Sequence, residues 1–112
     1  MIGGNITAVL QTKITTKNAF GEKVETWNDV QLLKGFLDFT VGDGSYKSNF
    51  KGSVEETTHI FICDYDKVVS SVSPTQSRLV VNDSVYDVLM IDDPMNLHRH
   101  LEIMLKFNEV IK

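Results

Sequence analysis

The chain has 112 residues, 42% hydrophobic and 23% charged, a balance that suits one folded domain over residues 1–112 and excludes a largely disordered chain. A formal net charge of −4 argues against a protein that grips duplex DNA through clustered lysines and arginines. One cysteine, Cys63, excludes an internal disulfide framework and fits a reducing compartment. The N-terminal "MIGGNITAVL" lacks the basic start and long apolar run of a secretory signal, and no apolar run approaches the ~18 residues of a membrane helix.

Hydrophobic residues recur mostly at period two. From Ile6 to Ile14 the apolar side chains alternate with polar ones, as in a half-buried strand. "KNAFGEKVETW" follows: Asn18-Ala19-Phe20-Gly21 is a turn signal, and the β-branched, aromatic "KVETW" predicts the second arm of a hairpin with Trp27 at its far end. "LLKGFLDFTV" reads as a further strand in which Leu33, Leu37, Phe39 and Val41 share a face across Gly35, a residue that marks a bulge or tight bend. "TTHIFICDY" is a central strand, and "DKVVSSVSPTQS" an irregular connection broken by Pro74. "SRLVV", "NDS" and "VYDVLMI" predict a hairpin, and "DDPMN" a turn that Pro94 begins. In "LHRHLEIMLKFN", Leu101, Ile103, Leu105 and Phe107 repeat at period two, whereas a helical template leaves Ile103 and Phe107 off its stripe, so the segment is read as a strand. Six or seven short, turn-separated strands predict an all-β fold, a small antiparallel β-barrel or sandwich, with closure favoured because it removes sheet edges.

Residues that could carry chemistry each have a plainer reading. His98 and His100, two apart, would point the same way on a strand and could join His59 or Asp92 around a metal, but no recognised ligand spacing is present and a polar outer face opposite Leu101 and Ile103 explains them. Cys63 lies among apolar residues and then Asp64 and Asp66, the setting of a buried thiol and not of a nucleophile. Ser48 and Lys51 match Ser-x-x-Lys without the supporting motifs of such hydrolases. "VGDGSYK" lacks the spacing of a phosphate-binding loop and precedes a strand where a helix should begin. Asp92 and Asp93 before Pro94 are turn initiators. No catalytic, cofactor or metal site emerges, and no enzyme is expected.

The least core-like segment is residues 41–56, "VGDGSYKSNFKGSVEE", with three glycines, three serines and five charges between two apolar runs. So long a stretch without strand or helix signals inside a small domain is commonly functional. Gly42, Gly44 and Gly52 supply backbone freedom, and Tyr46 and Phe50 alternate with Lys47 and Lys51 in a segment too polar to bury itself, so these aromatics are expected to await a partner. Trp27 reads first as core and second as an interface anchor; with His98 and His100 it completes the partner-facing candidates.

The order of these pieces resembles the head–tail joining proteins of tailed bacteriophages, the head-closure or stopper family. The resemblance rests on "ITAVLQTKITTKNAFGEKVETW", then "QLLKGFLDFT", the long segment and "TTHIFICDY", then "SRLVVNDSVYDVLMIDDPMNLHRHLEI", where Tyr86, Asp93, Pro94, Leu101 and Glu102 are its most specific positions. The family often carries an Arg followed by an aromatic or a second Arg in its third strand; "IFICDYD" has acids there, so the resemblance assigns that strand no DNA contact.

The resemblance implies a small β-barrel without enzymatic activity, forming a ring of twelve identical subunits in the virion at the head–tail interface. The portal–adaptor complex would lie on one side, the tail-completion protein on the other, and double-stranded DNA would pass transiently. The long loop would project into the channel and close it behind packaged DNA. Folded out and back, sixteen residues reach about 25 Å. The loop's two lysines against three carboxylates leave a slightly negative lining that DNA can pass. Loops that find partners only in the ring order only on assembly, so the isolated protein, made in the host cytoplasm, is expected to be monomeric or weakly associated.

Two rivals remain. A tail-completion or tail-tube-like ring protein would also form rings but would cap the tail and leave the head open, tail-tube subunits using their long loop to stack successive rings. A β-barrel module for peptides or single-stranded nucleic acid would interleave aromatic and basic residues on exposed strands; only residues 46–51 show that pattern.

Overall fold

The computed structural model describes residues 3–39 and 57–111. Among these, six antiparallel strands form a closed barrel: β1 (Ile6–Lys17), β2 (Lys23–Phe39), β3 (His59–Asp64), β4 (Ser77–Val81), β5 (Ser84–Asp92) and β6 (His100–Val110), in the spatial order β1-β2-β3-β6-β5-β4. The all-β expectation holds. Closure is made by β4 against β1, with Leu10 opposite Leu79 and Thr12 opposite Ser77.

The period-two pattern fills the interior. Ala8, Leu10, Leu33, Phe61, Cys63, Leu79, Val81, Tyr86, Val88, Leu101, Ile103 and Leu105 form one buried cluster. Each large side chain withdrawn from water there contributes about 1.5–3 kcal/mol, which is what a barrel this small has to set against its ordering entropy.

β2 departs from expectation. "KVETW" and "LLKGFLDF" belong to one strand of 17 residues, because its two halves serve different neighbours: Lys23–Gly35 pair with β1 and Gly35–Phe39 with β3. Gly35 is where the strand changes partner. A Cβ there would lie 2.1 Å from the Ile62 carbonyl oxygen, so the residue marks a close approach of backbones; the register shift lies elsewhere, between Leu10 and Gln11.

"DKVVSSVSPTQS" is not wholly irregular. It contains a one-turn helix α1 (Lys67–Ser71) and a 3₁₀ turn (Pro74–Gln76). Asp66 caps α1, its carboxylate accepting from Val68 N at 2.9 Å and Val69 N at 3.2 Å, and Val69 is fully buried. The "SRLVV–NDS–VYDVLMI" hairpin is present, with Asn82 at φ 54° in its turn. The segment after Pro94 is a 3₁₀ turn (Pro94–Asn96), and β6 begins at His100, so His98 is not on the strand it was expected to share with His100.

The register gives the barrel two distinct ends. At one end are the β1–β2 turn, α1, the start of β4 and the β5–β6 loop; at the other are the ends of β2, β4 and β6 and the start of β3. Residues 40–56 connect Phe39 to Thr57 at this second end.

Candidate functional site

The expected channel residues Gly42, Gly44, Tyr46, Lys47, Phe50, Lys51 and Gly52, with Ser48, lie outside the described residues. The frame they connect to is well defined. Phe39 and His59 are Cα partners across β2 and β3, with ring centroids 5.1 Å apart. His59 meets Tyr86 edge-on at 4.9 Å, and Tyr86 meets Phe107 at 5.7 Å. Aromatic rings from four strands thus close this mouth of the barrel. Thr58 pins the incoming chain: its N–H donates to the Leu105 carbonyl at 2.8 Å, and its hydroxyl accepts from Phe107 N at 2.7 Å. Burial lowers the His59 pKa, with Asp38 opposing, so the imidazole is held neutral among the rings.

The opposite end carries the other candidates. β4 stops pairing with β1 at Thr12, and from Lys13 outward β1 and β2 continue as a two-stranded ribbon, about 17 Å long at the ordinary rise of a strand. Such a ribbon is marginal by itself. Trp27 helps to hold it. The indole is half-buried on the outer face, not in the core as first read, with the Arg78 guanidinium of β4 at 4.3 Å from its centroid and Lys13 at 5.8 Å. Arg78 Nε donates to Gln11 at 2.7 Å, and Gln11 donates to Asp29 at 2.8 Å.

At the ribbon's tip Asn18 organises the turn. Its side-chain oxygen accepts from Phe20 N at 2.9 Å and Glu22 N at 3.0 Å, while its amide donates to the Glu22 carboxylate at 3.0 Å. Gly21 takes φ 79°. The result is a tied loop with Phe20 at 87% exposure. Phe20 went unnoticed in the sequence because it sat inside a turn signal; an aromatic in a turn that needs only small or polar residues is the clue.

The β5–β6 loop is built similarly. Asp93 accepts from His98 N at 3.0 Å and pairs with the His98 ring, which lies 4.6 Å from that of Tyr65. Met95, Asn96 and His98 all adopt positive φ near 55°, a conformation unusual for residues other than glycine. The loop exposes Met95 at 89% and Leu97 at 53%. His100, on β6, pairs instead with Glu102 at 3.1 Å. The two histidines therefore engage separate acids. Among the described residues no group of three or more His, Cys, Asp and Glu is placed to hold a metal ion, and no helix is long and apolar enough to cross a membrane.

Cys63 is buried, and burial followed by Asp66 and Asp64 pushes its thiol up to about 12, the reverse of what a nucleophile needs. A cavity beside it, lined by residues 32–34 and 63–66, measures about 200 Å³, below the roughly 300–1,000 Å³ of ordinary ligand sites. The surfaces that stand out are apolar side chains on tied loops, which suit binding to other proteins.

Comparison with known proteins agrees with that character. A sequence model of the phage head completion protein family matches residues 5–107. None of the curated proteins compared with the chain matches it. Among solved structures, protein SF1141 from Shigella flexneri 2a superposes with a TM-score of 0.70 at 20% identity, covering 96% of each chain. A chain in the virion of a native gene transfer agent particle does so with a TM-score of 0.56 at 15% identity, again over 96% of each. At these identities the two structures speak for the fold.

Proposed function

We propose that this chain, which belongs to the phage head completion protein family, is the structural subunit of a ring that closes the DNA channel of a filled head and offers the tail its attachment surface. The family match over residues 5–107 carries this reading; the fold shared with a chain of a gene transfer agent virion is in keeping with it. A structural role in the virion, in association with other head and tail proteins, follows from the family. The ring, its twelve-fold order, its place between portal–adaptor and tail-completion proteins, and the gate are the finer proposal.

In this reading residues 41–56 are the gate. Tyr46, Lys47, Phe50 and Lys51 make contacts between loops of adjacent copies, and Gly42, Gly44 and Gly52 provide the bends. The segment connects at the aromatic mouth, whose rings and Thr58 bonds give it a fixed base. The partner-facing candidates Trp27, His98 and His100 sit at the opposite end, so the end that gates and the end that contacts partners are separated by the barrel. Weak loop contacts repeated by rotational symmetry close the channel, and the isolated chain stays monomeric or weakly associated.

The test is a deletion of residues 45–51, which leaves both connections to the barrel in place. Particles carrying the deletion are expected to retain the ring and lose DNA. A deletion particle that holds its DNA as the wild type does would overturn the gate.

A further inference from the structure

Two like-charged cross-strand pairs stand out. Lys17 and Lys23 are Cα partners at the outer end of the ribbon, both exposed. Asp92 and Glu102 are Cα partners on β5 and β6 beside the Met95 loop. Like charges directly opposite one another destabilise a sheet, so each pair costs stability in an isolated chain. Burial, then Glu102 and Asp93, push the Asp92 carboxyl above its ordinary range, with His100 opposing. Each pair also adjoins exposed apolar side chains: Phe20 beside the lysines, and Met95 and Leu97 beside the acids.

The barrel order sets the relation between the two patches. Going round β1-β2-β3-β6-β5-β4, the β1–β2 ribbon and the β5–β6 loop are separated by β3 on one side and β4 on the other. They lie on opposite flanks at the same end of the barrel. Two different, mutually complementary patches on opposite flanks are what a head-to-tail contact between identical subunits requires, and such a contact closes into a ring when its rotation permits.

We propose that the ribbon tip of one copy docks on the β5–β6 loop of the next, with Phe20 against Met95 and Leu97, and Lys17 and Lys23 against Asp92 and Glu102. The occupant is thus a second copy of this chain. The tied Asn18 turn and the Asp93-capped loop present both sides in fixed form, so little ordering entropy is lost on contact. Arg99, the only Lys or Arg of this loop, is exposed. This inference rests on the ring reading and names its interface.

The test uses assembled particles containing the full chain. With Phe20→Cys and Met95→Cys in the same chain, oxidation should give a ladder of disulfide-linked multimers; Cys63, buried and with its pKa raised to about 12, stays out of the reaction. Charge reversal gives a second readout. Lys17→Glu with Lys23→Glu should abolish incorporation, as should Asp92→Lys with Glu102→Lys, while the two variants supplied together should restore it, since each then meets its opposite. A multi-copy ring that gives no ladder, links Phe20→Cys to Phe20→Cys, or incorporates the reversed variants normally overturns the interface and leaves the ring reading standing. A single copy per particle, counted by mass, overturns both.

Discussion

The guanidinium of Arg78 lies 4.3 Å from the centre of the Trp27 indole, joining β4 to a ribbon that has already left the β4 edge. The contact links a barrel strand to the projecting element, and a planar guanidinium suits an aromatic face better than an ammonium does. A double-mutant cycle with Trp27→Ala and Arg78→Ala should return a coupling of about 0.5–2 kcal/mol in urea unfolding. Arg78→Lys should lose most of it.

Gly35→Ala should be among the most damaging single changes. The added Cβ meets the Ile62 carbonyl oxygen at 2.1 Å, where β2 passes from β1 to β3, and the expected loss is about 3 kcal/mol or failure to fold. Gly21→Ala is the contrast. It meets nothing within 4 Å but sits at φ +79°, so it should cost about 1–2 kcal/mol of backbone strain. Thermal unfolding of the two variants separates a packing effect from a conformational one.

Two groups give opposite pH dependences. The His59 pKa is lowered from 6.5 in the folded chain by burial, with Asp38 opposing. The unfolded chain therefore takes up the proton first, so stability is full above 6.5 and declines as pH falls through that value toward the folded pKa. His59→Phe should flatten this decline. Asp92 is raised above 3.8 by burial, Glu102 and Asp93, so its folded form takes up the proton first and stability rises as pH falls through the raised pKa. Asp92→Asn should stabilise at neutral pH, and the gain should fade by pH 3.8. Denaturant midpoints between pH 3 and pH 8, on the order of the reference range for these groups, check both signs.

Cys63 should behave as a folding probe. Buried, with its thiol pushed to about 12, it should resist alkylation in the native protein at pH near 8 and label fully in denaturant. Rapid native labelling would show that the barrel opens at β3, where Cys63 pairs with Gly35 on one side and Leu101 on the other.

Most of the barrel was legible in the sequence because inward residues of a barrel alternate, and Ile103 and Phe107, which a helical stripe would leave out, decide strand against helix for β6. The continuity of β2 was hidden: Asn28 and Asp29 look like turn residues, and pairing with Thr12 and Gln11 of β1 keeps the chain extended through them. α1 was hidden as well, since "KVVSS" is a poor helix former; the Asp66 cap and buried Val69 hold it. His98 left the expected strand because Asp93 captures it in a positive-φ loop, a backbone choice that non-glycine residues do not announce. The cross-strand pairing of Lys17 with Lys23, and of Asp92 with Glu102, depends on register across strands, which no single segment contains. Residues 41–56 stood out through composition, and their role is proposed on the family resemblance.

The decisive measurement uses DNA-filled, tailless heads carrying portal and adaptor, with and without this purified protein, scored for nuclease-accessible DNA over time. Closure of the channel predicts that heads given the protein keep their DNA protected while untreated heads leak. Equal leakage in both samples would contradict head closure and place the protein on the tail side.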